Sequence, residues 1–139
     1  MHSEHLRNVQ LSWVAFGWFA GLAIATSIAL LLMASGVLSP AGEGSGVWLT
    51  VAVGVGWFVG GFTTGYKTAA APILHGTAIA LFTFVAWFLL NLVFGGLTTG
   101  ASAWELLGGR ATALALLEQA VAAIAGCWAG YRYAPLRVE

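Results

Sequence analysis

Charge is scarce in this chain of 139 residues: only 7% are Asp, Glu, Lys or Arg, five basic against five acidic. A soluble domain covers its surface with about a quarter charged residues, so a water-soluble fold is excluded. The zero net charge leaves no basic footprint for nucleic acid. Cysteine is almost missing as well. The single Cys127 can form neither an internal disulfide nor a cysteine metal cluster, and among small residues in mid-helix it reads as inert packing. No nucleophile–base pair, phosphate-binding loop or metal-ligand spacing occurs. These absences argue against an enzyme and against a resident metal.

What is present is apolar length. Hydrophobic residues make up 60% of the chain, and they fall in four runs at about 11–36, 47–66, 72–94 and 111–131. A helix rising ~1.5 Å per residue covers the ~30 Å hydrocarbon core in about 20 residues, which each run supplies. Helices are required because lipid offers no partner to free backbone N–H and C=O groups. The first run extends well beyond the ~7–15 residues of a secretory signal core, and reads as a retained span. Val37 to Gly46, with Pro40 and three glycines, reads as a turn. The link from Lys67 to Ala71 is very short. Gly95 to Arg110 is the longest connection, and a short interfacial helix is expected around Trp104 to Leu107. The expectation is one membrane domain over 1–139.

The two halves repeat. Gly61-Phe62-Thr63-Thr64-Gly65-Tyr66-Lys67 returns as Gly126-Cys127-Trp128-Ala129-Gly130-Tyr131-Arg132, each followed by Ala-Pro. Gly21-Leu22-Ala23-Ile24-Ala25 returns at a somewhat shorter offset as Gly76-Thr77-Ala78-Ile79-Ala80. The longer loop of the second half absorbs the difference between the two offsets. The fold expected is all-α: a four-helix membrane bundle built from a duplicated two-helix hairpin. Both units insert the same way up, related by a pseudo-two-fold axis along the membrane normal, as in the parallel repeats of some transporters.

Orientation follows from the basic residues. Arg7, Lys67, Arg132 and Arg137 fall on one side and Arg110 alone on the other, which under the positive-inside rule places both termini in the cytoplasm. Tyr66, Tyr131 and Tyr133 mark the inner interface, Trp48 and Trp104 the outer one. A cell inner (cytoplasmic) membrane is the implied setting.

Small residues locate the packing faces, because they let helix backbones approach closely. The second span has two opposed glycine stripes, Gly54, Gly61 and Gly65 on one side and Gly56 and Gly60 on the other. Two close neighbours are implied, within this chain or one of them in a partner. In the fourth span Glu118, Ala122, Ala125 and Ala129 form one stripe, beside Gln119, Ala123, Gly126 and Gly130. That side is expected to face the bundle, with Leu117, Val121, Ile124 and Trp128 toward lipid. In the third span Gly76, Thr83, Trp87 and Asn91 share a face, where Thr83 and Asn91 are expected to bond across helices.

Glu118 is the sharpest candidate for chemistry. An intramembrane carboxylate suggests a proton or cation site, or a salt link to a partner subunit; the plainer reading is an interfacial Glu reaching Arg110. Gln119, Thr83 and Asn91 could extend a polar site from it. His75 could serve as an axial ligand to a haem or chlorophyll-type pigment. No second buried histidine supports that, and an interfacial hydrogen-bonding role is the simpler one. His75 and Glu118 lie near opposite membrane faces and should not pair.

The run Gly60-Gly61-Phe62-Thr63-Thr64-Gly65-Tyr66-Lys67, followed by Leu74-His75-Gly76, resembles the YrzE-like family of small bacterial four-helix membrane proteins. The family pattern is a Gly-Gly-Phe, a small residue, Gly and a basic residue, then Leu-His-Gly. The likeness covers about a fifth of the chain and departs in placing Tyr66 before the basic residue. It implies a four-helix fold with cytoplasmic termini and no established activity, and places Lys67 and His75, but not Glu118, in the family motif.

With almost no soluble mass, the chain meets its surroundings through helix faces, lipid and short loops. The function expected is that of a non-catalytic accessory or scaffold subunit in a larger membrane assembly. The alternative is a small transporter or channel protomer working as a homo-oligomer, with Glu118 in a polar path.

Overall fold

The computed structural model describes residues 5–38, 44–98 and 109–135. After a 3-10 turn at Leu6–Asn8 come four helices, α1 (Leu11–Ala34), α2 (Ser45–Thr68), α3 (Pro72–Thr98) and α4 (Arg110–Tyr133). All four are long and apolar enough to cross a membrane, and no strand occurs among the described residues. The interfacial helix expected around Trp104 to Leu107 lies outside them.

The helix limits follow local chemistry. α1 ends slightly before its apolar run does, because Gly36 takes a left-handed φ of 77° and donates its N–H to the Met33 carbonyl, a C-terminal glycine stop. α2 begins at Ser45, a little earlier than expected, after Gly44 at φ 90°. The α2–α3 link is only Ala69 to Ala71, and both Ala69 (φ 48°) and Ala71 (φ 40°) sit in the left-handed region. That conformation costs an alanine ~1–2 kcal/mol. Pro72, whose missing N–H costs nothing in a first helical turn, then opens α3.

α2 is the hub, packing extensively on α1 and on α4, while α3 packs mainly on α4 and more lightly on α1 and α2. Both glycine stripes of α2 are used inside this chain. Gly56 and Gly60 meet the backbone of Gly21 and Gly17 in α1. Gly61 and Gly65 meet the carbonyls of Ala123 and Cys127 in α4, and a Cβ at any of these four α2 glycines would run into backbone. α2 runs antiparallel to α1 and parallel to α4. Gln10, just before α1, is joined to His75 in the first turn of α3, and the rings of Phe62 and Tyr133 lie 6.3 Å apart. Residues 10, 66–75 and 133 therefore share one end of the bundle. This basic end carries Arg7, Lys67 and Arg132.

The α2–α4 contact is reciprocal at the repeat offset. Gly61 meets Ala123 and Gly126 meets Phe58; Gly65 meets Cys127 and Gly130 meets Phe62. In each couple the second contact is the first with both partners replaced by their repeat equivalents, the signature of a local two-fold axis between parallel helices.

The outer helices break this symmetry. α1 covers Gly56 and Gly60, whose repeat equivalents on α4 are Val121 and Ala125. Val121 is 59% exposed and Ala125 is exposed too. α3 instead seats Gly76 on Ile124, 2.5 Å from an added Cβ to the Ile124 Cα, about 100° round the helix from Ala125. Two sequence expectations are corrected here. Ile124 faces α3 rather than lipid, and Ala125 faces outward rather than into the bundle. The buried line of α4 is Ala123, Gly126, Cys127 and Gly130, with Leu117, Val121 and Trp128 outside as expected. The apolar core joins Val14, Trp57, Ile79, Ala123 and Cys127, one or two residues from each helix.

Candidate functional site

The densest buried polar group lies at the basic end, where α1, α2 and α3 converge. Three side chains there are almost wholly buried: Thr64, Thr68 and His75. The Thr64 hydroxyl stands 3.0 Å from the Trp13 carbonyl of α1 and 3.1 Å from Gly60 of its own helix. Thr68 donates to the Thr64 carbonyl at 3.0 Å. His75 accepts the backbone N–H of Gln10 on Nε2 at 3.0 Å, which puts its proton on Nδ1, 2.9 Å from the Ala71 carbonyl. The ring therefore pins the residue that precedes α1 to the residue that precedes α3.

In this geometry His75 takes the hydrogen-bonding role, with both ring nitrogens on backbone groups. Axial coordination needs a free ring nitrogen, and both nitrogens are engaged by backbone groups in a side chain with no exposed surface. A haem or pigment could reach it only after Gln10 had been displaced. Among the described residues, no three His, Cys, Asp or Glu side chains lie close enough to hold a metal ion.

Glu118 is elsewhere. It is half-buried on α4, and its Oε1 lies on the backbone of Gly54 in α2, 2.9 Å from where a Cβ on that glycine would stand. At ~1.5 Å per residue it sits about 9 Å below the first residue of the span Thr112–Tyr133. No ion pair joins it to another described residue.

The remaining polar candidates do not gather around it. Thr83 donates to Ile79 at 3.0 Å and Asn91 to Trp87 at 2.8 Å, each one turn back along α3. The cross-helix bonds expected of them are replaced by bonds to their own helix, because a short polar side chain reaches the i−4 carbonyl without a partner. Gln119 Oε1 and the Trp18 indole N–H are buried with no hydrogen-bond partner among the described residues. The structure thus brings Glu118 to α2 while Thr83 and Asn91 stay bonded within α3, and the four do not form one line.

Several contributors were not singled out from sequence. Gly17 and Gly21, which receive α2, form a Gly-x-x-x-Gly-x-x-x-Ala series with Ala25 that the chain does display. Thr64 and Thr68 carried no comparable sign, since threonine in a membrane helix usually bonds its own backbone. Gln10 acts through its main chain, which has no side-chain signature. No family model, curated protein or solved structure matches the chain.

Proposed function

We propose that the protein is a non-catalytic accessory or scaffold subunit of a larger assembly in a bacterial inner membrane, with both termini in the cytoplasm. The observation that supports this reading is how its polar groups are used. Thr64 and His75 bond the backbone of a second element as well as their own, and Thr68, Thr83 and Asn91 bond the backbone of their own helix, so these groups are taken up by backbone rather than lining a path. The YrzE-like resemblance, carried by Gly61, Gly65, Lys67 and His75, is in keeping with it. Gly61, Gly65 and His75 hold α2 and α3 in place here.

The rival is a transporter or channel protomer using Glu118, and Gln119 Oε1, buried without a hydrogen-bond partner among the described residues, is the feature that favours it. Proteoliposomes decide between them. Glu118→Gln removes the titratable charge and keeps much of the shape. The native protein is expected to conduct no more ions or protons than empty liposomes do. A reproducible flux that Glu118→Gln abolishes would replace the accessory reading with its rival.

Orientation has its own test. Ser45→Cys and Ala70→Cys, each in a Cys127→Ala background, lie at opposite ends of α2. A membrane-impermeant thiol reagent applied to intact cells should label the first and spare the second. The reverse pattern would invert the topology.

A further inference from the structure

The α4 face holding Val121 and Ala125 is the repeat equivalent of the α2 face that receives α1, yet it is open because α3 seats on Ile124 instead. Along its margin run Ala122, half-buried Ala129 and Glu118, so a surface suited to close helix approach carries a carboxylate about 9 Å into the span. We infer that this face docks a transmembrane helix of another protein, one with small residues on its contact side and a Lys or Arg at the depth of Glu118. The inference rests on the accessory-subunit reading and names the chemistry of the partner.

Charge complementarity selects that occupant. A carboxylate at this depth needs a cation or a set of donors, and no ion pair joins it to another described residue, although its Oε1 lies by the Gly54 backbone. A second copy cannot serve. Between Arg7 and Lys67, between Lys67 and Arg110, and between Arg110 and Arg132 there is no Lys or Arg, so every such cation of the chain lies at a helix end or beyond it. Two copies meeting symmetrically through this face would also set Glu118 against Glu118. Lipid alone would leave the part of Glu118 that α2 does not cover facing acyl chains.

The probe is a synthetic spanning helix of about 20 residues, with alanine every fourth position and one Lys at the depth of Glu118. A matched peptide carries Leu in place of Lys. Association with the labelled protein in phosphatidylcholine vesicles is read by energy transfer. The Lys peptide should bind about tenfold more tightly than the Leu peptide, Glu118→Gln should erase that preference, and Ala125→Trp should weaken binding of both peptides. Maleimide protection of Cys127 shows that each variant remains folded. Equal binding of the two peptides, or a preference that survives Glu118→Gln, overturns the inference. So does cross-linking of Ala125→Cys between two copies in peptide-free vesicles, which would make the face a homodimer surface. Ion flux measured in the same vesicles reports on the accessory reading separately, so the two can fail independently.

Discussion

Gly61→Ala and Gly126→Ala are each expected to destabilise the bundle by about 1–3 kcal/mol, the usual cost of forcing a methyl into a filled interior. The Leu variants should leave no folded population in mild detergent. The atoms that a new Cβ meets are the Ala123 and Phe58 carbonyls, and helix backbone cannot swing aside as a side-chain tip can. The helices must separate, and close van der Waals contact, the main attraction between helices in lipid, goes with them. Because the contacts are reciprocal, the two substitutions should have similar effects despite lying on different helices in opposite halves of the chain. Cys127 supplies the readout: it is fully buried at this interface, so its reaction with maleimide reports opening of the α2–α4 pair. Val121→Leu, on an exposed site, should leave labelling unchanged. Equal loss of protection at Val121 would mean that the faces are wrongly assigned.

His75→Leu is expected to free the start of α1. Leucine fills much of the imidazole volume but offers no acceptor, so the Gln10 N–H loses its 3.0 Å partner. A buried donor left unsatisfied costs ~1–3 kcal/mol, and because this bond is only part-buried the loss should lie toward the low end of that range. His75→Ala should be worse, adding a cavity where a side chain with no exposed surface had stood. His75→Asn, whose amide oxygen can accept, should recover part of the loss. Hydrogen exchange locates the effect: the Gln10 amide should be protected in the native protein and exchange about tenfold faster in the Leu variant, corresponding to ~1.4 kcal/mol of local opening. An unchanged Gln10 exchange rate would remove His75 from its role as the pin.

Much of the fold was legible because glycine reports helix faces directly. Most glycines within these apolar helices mark places where backbones touch: Gly56, Gly60, Gly61, Gly65, Gly76, Gly126 and Gly130 all lie against the backbone of a neighbouring helix, while Gly54 meets the Glu118 side chain. Alanine is less informative. It fits against another helix and against lipid alike, so the stripe through Ala122, Ala125 and Ala129 could not say which side of α4 α3 would take. The repeat misled at the same point, since its two-fold relation holds for α2 and α4 but not for the helices outside them. The polar site was harder to read. His75 was visible as a candidate, but its partner is a backbone N–H, and any residue except proline could supply one. Glu118 stood out as a charge in an apolar run. That it would turn to Gly54 depended on three-dimensional proximity between spans.

The reciprocal seam also sets an order of events during synthesis. α2 presents one glycine stripe to α1, already made, and the other to α4, which begins only at Arg110, long after α2 has ended at Thr68. With synthesis running at about 5–20 residues per second, α2 must spend several seconds in the bilayer with that second stripe facing lipid or the insertion machinery. Its first hairpin can close at once through Gly17 and Gly21, whereas the core around Cys127 can close only when the final span arrives. The last of these four helices to be made is therefore the one that locks the other three, and a chain truncated before Arg110 should remain an open hairpin with a loose third span.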